Sequence, residues 1–131
     1  MILVDANIPM YLVGVAHPNK ERARAFVERA ILDEERLVSD AEVLQEIIHR
    51  FVAIGRRDAV DSAIGALLEL VDEVLPIELR DVRRAAGIVA TSPMSARDAL
   101  HLAVMQHHGI DRILTFDRAF DGLPGVTRLP A

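Results

Sequence analysis

The chain has no cysteine and no tryptophan among its 131 residues, and Tyr11 is its one tyrosine. The absence of cysteine excludes a disulfide scaffold, a thiolate zinc site and a cysteine nucleophile. No apolar run approaches the roughly 20 residues of a transmembrane helix. The first residues also lack the basic segment of a signal peptide, because an acid, Asp5, arrives early. A cytoplasmic location without membrane association is the simplest expectation.

Basic residues are fewer than acidic ones: 15 lysines and arginines stand against 20 aspartates and glutamates, for a formal net charge of −5. A protein that coats DNA without sequence preference should be basic, so that class is disfavoured. A nuclease with an acidic metal site is not, because its own ligands lower the net charge. Every basic residue except Lys20 is an arginine. Arginine suits bidentate phosphate recognition, although a coding preference for arginine explains the same bias.

Apolar residues make up 51% of the chain, which is enough for a packed interior, and the length suits one domain spanning residues 1–131. Short apolar runs alternate with amphipathic helical patterns. The runs predict strands at residues 2–4, 37–38, 73–77, 112–115 and 126–129. The patterns predict helices at residues 6–14, 19–35, 39–55, 57–70, 78–90 and 95–108. This alternation predicts an α/β fold, a three-layer α/β/α sandwich with a mostly parallel central sheet.

Two aspartates follow predicted strands at the point where each strand ends. Asp5 comes directly after the buried run Ile2, Leu3 and Val4, and Asp117 follows the fourth strand. Parallel strands deliver their carboxyl ends to one edge of a sheet, which is where sites lie in open α/β folds. We therefore expect Asp5 to be the first ligand of a metal site. Asp117 has an equally simple alternative role, because aspartates after strands often shape turns or cap helical turns.

Further acids near the starts of helices have structural explanations of their own. Ser39 and Glu42 fit a capping box, in which Glu42 is the reciprocal acid, while Glu46 lies at the boundary of the apolar stripe of the same helix. Asp98 falls in the first turn of a helix capped by Ser95, where an acid favours the helix dipole. The small and apolar residues around Asp98 would nevertheless let that helix approach the sheet edge. Asp121 is expected to form a turn.

Several carboxylates without cysteine suit a hard cation such as Mg²⁺ or Mn²⁺, which prefers oxygen ligands. The histidines are expected to have other roles. His107 and His108 fit a helix C-terminus, where partial positive charge is favourable, and His49 and His101 are expected to be packing or surface residues. The chain contains neither a G-x-G-x-x-G sequence nor a phosphate-binding loop that ends in Gly-Lys-Ser/Thr, so the standard nucleotide-binding folds are unsupported.

Four segments, ILVDAN, SDAEVLQEIIHRF, SARDALHLAVM and ILTFDRAFD, each carry an acid. In this order they resemble the PIN-domain family and, within it, the VapC-like toxins of bacterial toxin–antitoxin pairs. The resemblance covers nearly the whole chain. It implies a three-layer α/β fold and a Mg²⁺-dependent site in which Mn²⁺ can substitute. The implied metal ligands and catalytic acids are Asp5, Glu46, Asp98 and Asp117. The second of these falls on Glu46 rather than on Glu42.

The resemblance also implies roles for neighbouring residues. Asn7 and Thr115 match polar positions that support the acids or bound water, and Asp121 matches a position that is acidic in some members only. Arg97 and Arg118 stand beside two of the acids. They are expected either to contact an RNA backbone or to form surface salt bridges.

The implied activity is endoribonucleolytic cleavage that inhibits translation, with a VapB-like antitoxin as partner and a homodimer as the common assembly. The amphipathic helices between residues 19 and 70 are expected to supply surfaces for both protein contacts. One alternative is a PIN-like protein-interaction module without catalysis, although the complete set of four acids disfavours it. Another is a phosphatase with an aspartate nucleophile, which is disfavoured because Asn7 stands where an Asp-x-Asp pattern would need its second acid.

Overall fold

A computed structural model describes residues 1–130 of the chain. Five strands form one sheet in the order β3-β2-β1-β4-β5, and every neighbouring pair is parallel. The strands are β1 (Ile2–Val4), β2 (Leu37–Asp40), β3 (Glu73–Leu75), β4 (Arg112–Leu114) and β5 (Thr127–Leu129). The first strand in sequence is therefore the central strand of the sheet.

Six α-helices connect or cover the strands. They are α1 (Asn7–Val13), α2 (Pro18–Leu32), α3 (Ala41–Ala53), α4 (Val60–Leu70), α5 (Leu79–Thr91) and α6 (Ala96–His108). Single turns of 3-10 helix occupy Arg57–Ala59 and Arg118–Phe120. No helix within residues 1–130 is long and apolar enough to cross a membrane.

The alternation of side chains along β1 divides the interior into two apolar layers. Ile2 and Val4 pack into a cluster built mainly from α1, α2, α3 and α4, with Ile47 and Leu67 among its fully buried members. Leu3 faces the opposite layer, where Val104 and other residues of α6 cover the sheet. Successive strand residues point to opposite faces, so a strand without polar residues requires helices on both sides. The α/β/α sandwich is thereby confirmed, with a sheet that is parallel throughout.

One helix begins differently from the prediction. The capping box at Ser39 is wrong, because β2 extends to Asp40, two residues beyond the predicted strand, and Asp40 is the N-cap of α3. The Asp40 Oδ1 atom accepts from the Val43 backbone N–H at 3.0 Å. The Ser39 hydroxyl instead donates to the Val4 carbonyl oxygen at 2.8 Å, tying β2 to β1. Glu42 is consequently left without a capping role.

Candidate metal centre

The carboxyl ends of the three central strands meet at one edge of the sheet. Val4 is in register with Leu114, and Asp5, the next residue, donates its backbone N–H to the Leu114 carbonyl oxygen at 3.0 Å. The ends of β1 and β4 thus lie side by side. Asp40 closes β2 at the same edge. Helices α3 and α6 begin near this edge, and their first turns bring further acids towards it.

Asp5 is almost completely buried, with 4% of its surface exposed. Its Oδ1 atom accepts from the Ala6 backbone N–H at 2.7 Å, and its Oδ2 atom accepts from the Thr115 hydroxyl at 2.7 Å. Thr115 in turn accepts from the Asn7 side-chain amide at 2.9 Å. Asn7 and Thr115, which the family resemblance predicts to support the acids, therefore form successive hydrogen bonds that fix the Asp5 carboxylate.

His101 lies fully buried between the carboxylates of three different elements. Its Nδ1 atom is 2.7 Å from Asp40 Oδ2. Its Nε2 atom lies 3.8 Å from Asp5 Oδ1 and 3.8 Å from Glu46 Oε2. These two distances are too long for hydrogen bonds, and Nε2 has no hydrogen-bond partner within residues 1–130. Burial opposes protonation of the ring, but Asp40, Glu46 and Asp5 together raise the pKa of His101 well above its usual value.

Asp5, Glu46 and His101 each offer one ligand atom, and these atoms all lie within 4.8 Å of one another. The interaction with His101 lowers the pKa of Glu46 in spite of partial burial, and Arg50 contributes in the same direction. Burial raises the pKa of Asp5, against the opposing effects of His101 and the Thr115 hydroxyl. The pKa is therefore raised at Asp5 and lowered at Glu46, although both carboxyl groups face His101.

Asp98 lies outside the group of ligand atoms formed by Asp5, Glu46 and His101, but it is close enough to Asp117 and Asp5 to be affected by their charges. Burial raises the pKa of its carboxyl, the negative charge of Asp117 raises it further, and Asp5 adds to the effect. Its position is fixed by the start of α6, where the Asp98 backbone N–H donates to the Ser95 hydroxyl at 3.2 Å. Asp117 is exposed, and its Oδ1 atom also caps the 3-10 turn by accepting from the Ala119 N–H at 2.9 Å. Capping is therefore the role of Asp117 that its hydrogen bond shows.

The donor set fits a divalent cation. One ligand atom each from Asp5, Glu46 and His101 lies within 4.8 Å of the others, and the Nε2 atom of His101 has no hydrogen-bond partner within residues 1–130. Raised pKa values at Asp5 and Asp98 reflect negative charges that burial and mutual repulsion disfavour. A bound cation would relieve this repulsion and would satisfy carboxylates that have lost water.

Three further predicted residues, Asp121, Arg97 and Arg118, also lie outside the group of Asp5, Glu46 and His101. Asp121 accepts from Arg128 Nε at 2.6 Å, and this ion pair lowers the pKa of Asp121. Arg97 is half-buried and forms an ion pair with Glu42 at 3.6 Å, whereas Arg118 is exposed beside Asp117. An ion pair therefore accounts for Asp121, and the two arginines flank the acids.

Sequence reasoning did not place His101 with the acids, nor Asp40 as its hydrogen-bond partner. His101 is fully buried, as expected of a packing residue, and its ring also lies against the carboxyl groups of Asp40, Asp5 and Glu46. Glu42 is half-buried near His101 and Arg97, and burial raises its pKa. The available signal was spacing: His101 follows Asp98 by three residues, so both project from one face of α6.

Comparisons with known proteins identify the family of this chain. The profile of the PIN domain family matches residues 2–126. Ribonuclease VapC13 of Mycobacterium tuberculosis is 58% identical over 130 residues, which cover 98% of this chain and 99% of that protein. Ribonuclease VapC23 of the same species is 42% identical over 118 residues, covering 89% of this chain and 93% of that protein.

Solved structures share the fold at low sequence identity. The crystal structure of Mycobacterium tuberculosis VapC20, described as a sarcin-ricin loop cleaving toxin, has a TM-score of 0.73 at 20% identity and covers 91% of this chain and 92% of its own. VapBC2 from Rickettsia felis, bound to a DNA fragment from its promoter, has a TM-score of 0.74 at 12% identity, covering 98% and 97%. With the profile match and the relatives above, the chain belongs to the PIN-domain family and, within it, to the VapC ribonucleases.

Proposed function

We propose that this protein is a metal-dependent endoribonuclease, a VapC toxin that cleaves RNA and thereby inhibits translation. The observation that carries the proposal is the convergence of Asp5 and Glu46 on His101 at the carboxyl edge of a parallel sheet, with Asp98 close enough for the charges of Asp117 and Asp5 to raise the pKa of its carboxyl. The activity of the relatives named above supports it, since VapC13 is 58% identical over nearly the full length.

Mg²⁺, or Mn²⁺ in its place, is the proposed cofactor, and Asp5, Glu46, Asp98 and Asp117 would hold it. When bound, such an ion activates water and stabilises the negative charge that develops in phosphodiester hydrolysis. The proposed products carry a 5′-phosphate and a 3′-hydroxyl. Four oxygen donors without a thiolate favour these hard cations over zinc.

The protein's own side chains orient the acids and the substrate. The hydrogen bonds from Asn7 to Thr115 and from Thr115 to Asp5 fix the Asp5 carboxylate before substrate binds, so this side chain needs little reorganisation. Arg118 is exposed beside Asp117 and is free to contact an RNA phosphate. Arg97 would do the same after leaving its ion pair with Glu42, which is partly solvent-exposed.

A VapB-like antitoxin and a second copy of the chain are the proposed protein partners. Large apolar side chains on the helices between residues 19 and 70 remain exposed, among them Ile31, Ile48 and Leu68. Solved relatives include a toxin–antitoxin complex from Klebsiella pneumoniae and VapBC from Salmonella typhimurium bound to DNA. Light scattering that shows a monomer, with no gain in mass when antitoxin is added, would contradict both contacts.

The proposal is tested by incubating purified protein with total RNA in Mg²⁺, Mn²⁺ or EDTA, beside the variant Asp98→Asn. Asparagine keeps the size of the side chain and removes its charge. We expect metal-dependent cleavage by the wild type and a reduction of about 100-fold or more in the variant, since even outer residues of metal sites contribute about 10–100-fold.

The matched control is Asp121→Asn, which removes an acid that is engaged by Arg128. It should cleave like the wild type. Equal cleavage by the wild type and Asp98→Asn would indicate a contaminating nuclease and would contradict the assignment. Absence of cleavage from all three proteins, without stabilisation by metal, would favour the catalytically inactive interaction module.

A further inference from the structure

A cavity beside the metal centre contains the single tyrosine of the chain. It has a volume of about 290 Å³ and is lined by Asn7, Met10, Tyr11, Gly14, Val15, His17 and Arg50. Asn7 also donates to Thr115, whose hydroxyl holds Asp5. The cavity and the proposed metal centre are therefore connected through Asn7 and Thr115.

Aromatic rings form one side of this cavity. The rings of Tyr11 and His17 lie 4.9 Å apart between centroids at an interplanar angle of 35°, and Phe116 packs edge-on against Tyr11 at 5.4 Å. His17 is exposed and Tyr11 is half-buried. Exposed aromatic surface of this kind is where single-stranded nucleic acids stack their bases.

The cavity wall is held in place by local contacts. Lys20 Nζ donates to the Gly14 carbonyl oxygen at 2.8 Å, and His17 Nδ1 accepts from the Asn19 backbone N–H at 3.0 Å. A Cβ atom on Gly14 would lie 2.9 Å from the Met10 carbonyl oxygen, so a larger residue would displace the backbone. A preformed wall lowers the entropic cost of binding a ligand.

Size and charge favour a nucleotide over a bulkier occupant. The volume is close to the lower end of the range of about 300–1,000 Å³ found for small-molecule sites, which suits one base. Arg50 lies at the cavity with its side chain 52% exposed, 3.8 Å from Glu46. Its guanidinium is placed to meet a phosphate while the attached base enters the cavity.

We propose that this cavity binds one unpaired base of the RNA substrate, stacked on Tyr11 and His17, with Arg50 on a neighbouring phosphate. The inference rests on the proposed ribonuclease function and adds a specificity-determining subsite to it. Because a paired base is held inside a helix and cannot enter, the subsite restricts cleavage to single-stranded or looped RNA.

The direct test uses protein in which tyrosine is replaced by 3-fluorotyrosine. Since Tyr11 is the one tyrosine, the protein gives a single ¹⁹F NMR resonance from the cavity. The probes are tetraribonucleotides that together place every base at every position, titrated in EDTA so that cleavage is suppressed. We expect at least one tetranucleotide to shift the resonance in a saturable manner, while ribose 5-phosphate, which has no base, leaves it unchanged.

Variants separate stacking from a merely structural role. Tyr11→Leu should weaken binding of a fluorescent single-stranded RNA in EDTA by roughly 5- to 100-fold, the range expected for loss of one stacked base. Tyr11→Phe keeps the ring and should bind like the wild type. Arg50→Gln should weaken binding and reduce its salt dependence.

The subsite proposal would be overturned if no tetranucleotide shifted the ¹⁹F resonance, or if only a VapB-like antitoxin shifted it. Unchanged RNA affinity in folded Tyr11→Leu would do so as well. Cleavage of RNA by the wild type is scored separately in Mg²⁺. Cleavage without a ¹⁹F shift rejects the subsite and leaves the proposed function standing, whereas absence of cleavage rejects the function whatever the resonance does.

Discussion

At the scale of single residues, the contact between Asp40 and His101 joins the candidate metal site to the interior. Both side chains are fully buried, and their atoms lie 2.7 Å apart. Asp40 also caps α3 through the Val43 N–H. One carboxylate therefore stabilises a helix start and compensates the charge of the histidine that faces Asp5 and Glu46.

We expect Asp40→Ala to lower the free energy of unfolding by about 3–5 kcal/mol, because it leaves His101 buried without its closest partner and removes the cap of α3. Urea denaturation in EDTA measures this change without any contribution from bound metal. The control is Asp58→Ala, whose exposed ion pair with Arg56 should contribute little. Similar effects of the two substitutions would contradict a structural role for the buried pair.

The same residues show what the sequence could and could not predict. Asp5 and Asp117 were selected as candidates because the carboxyl ends of parallel strands share one edge of a sheet. This prediction needs only the alternation of strands and helices along the sequence. Glu46 was selected over Glu42 by family resemblance, since both are plausible on one helix. Asp40 and His101 lie 61 positions apart in sequence. Their contact depends on how α6 packs on the sheet, and local pattern does not contain that information.

At the scale of elements, two acids at the start of α5, Glu78 and Asp81, lie beside His107 near the end of α6. The Glu78 backbone N–H donates to Asp81 Oδ2 at 2.9 Å, and His107 Nδ1, near the end of α6, is 2.9 Å from Asp81 Oδ1. Burial opposes ionisation of Asp81, but the Glu78 N–H and His107 together lower the pKa of its carboxyl. His107 therefore has a packing partner beyond the helix end at which the sequence placed it.

This arrangement predicts a pH dependence of stability. A carboxyl whose pKa is lowered in the folded state contributes stability above its unfolded pKa of about 4, and that contribution is lost as the pH falls through the lower folded value. Asp81→Ala should therefore have a lower free energy of unfolding than the wild type at pH 7. The difference between the two proteins should become smaller below pH 4. Chemical denaturation of both proteins across this range checks the sign. A difference in the free energy of unfolding that grows towards acid pH would contradict this prediction.

At the scale of the whole molecule, the distribution of charge agrees with an acidic centre that must attract an anionic substrate. The net charge is −5, yet Arg50, Arg97 and Arg118 lie around the acids. An RNA backbone would be repelled by the acids alone. The flanking arginines offset this repulsion, and a bound divalent cation would reduce it further.

Direct titration with Mn²⁺, followed by the electron paramagnetic resonance signal of the free ion, tests the metal centre most directly. The wild type and Asp121→Asn should remove Mn²⁺ from solution with the same affinity, because Asp121 is engaged by Arg128. Asp5→Asn should lose most of that affinity while circular dichroism shows that it remains folded. Binding by folded Asp5→Asn that equals the wild type would contradict the account, since the acid at the end of β1 would then not be a ligand.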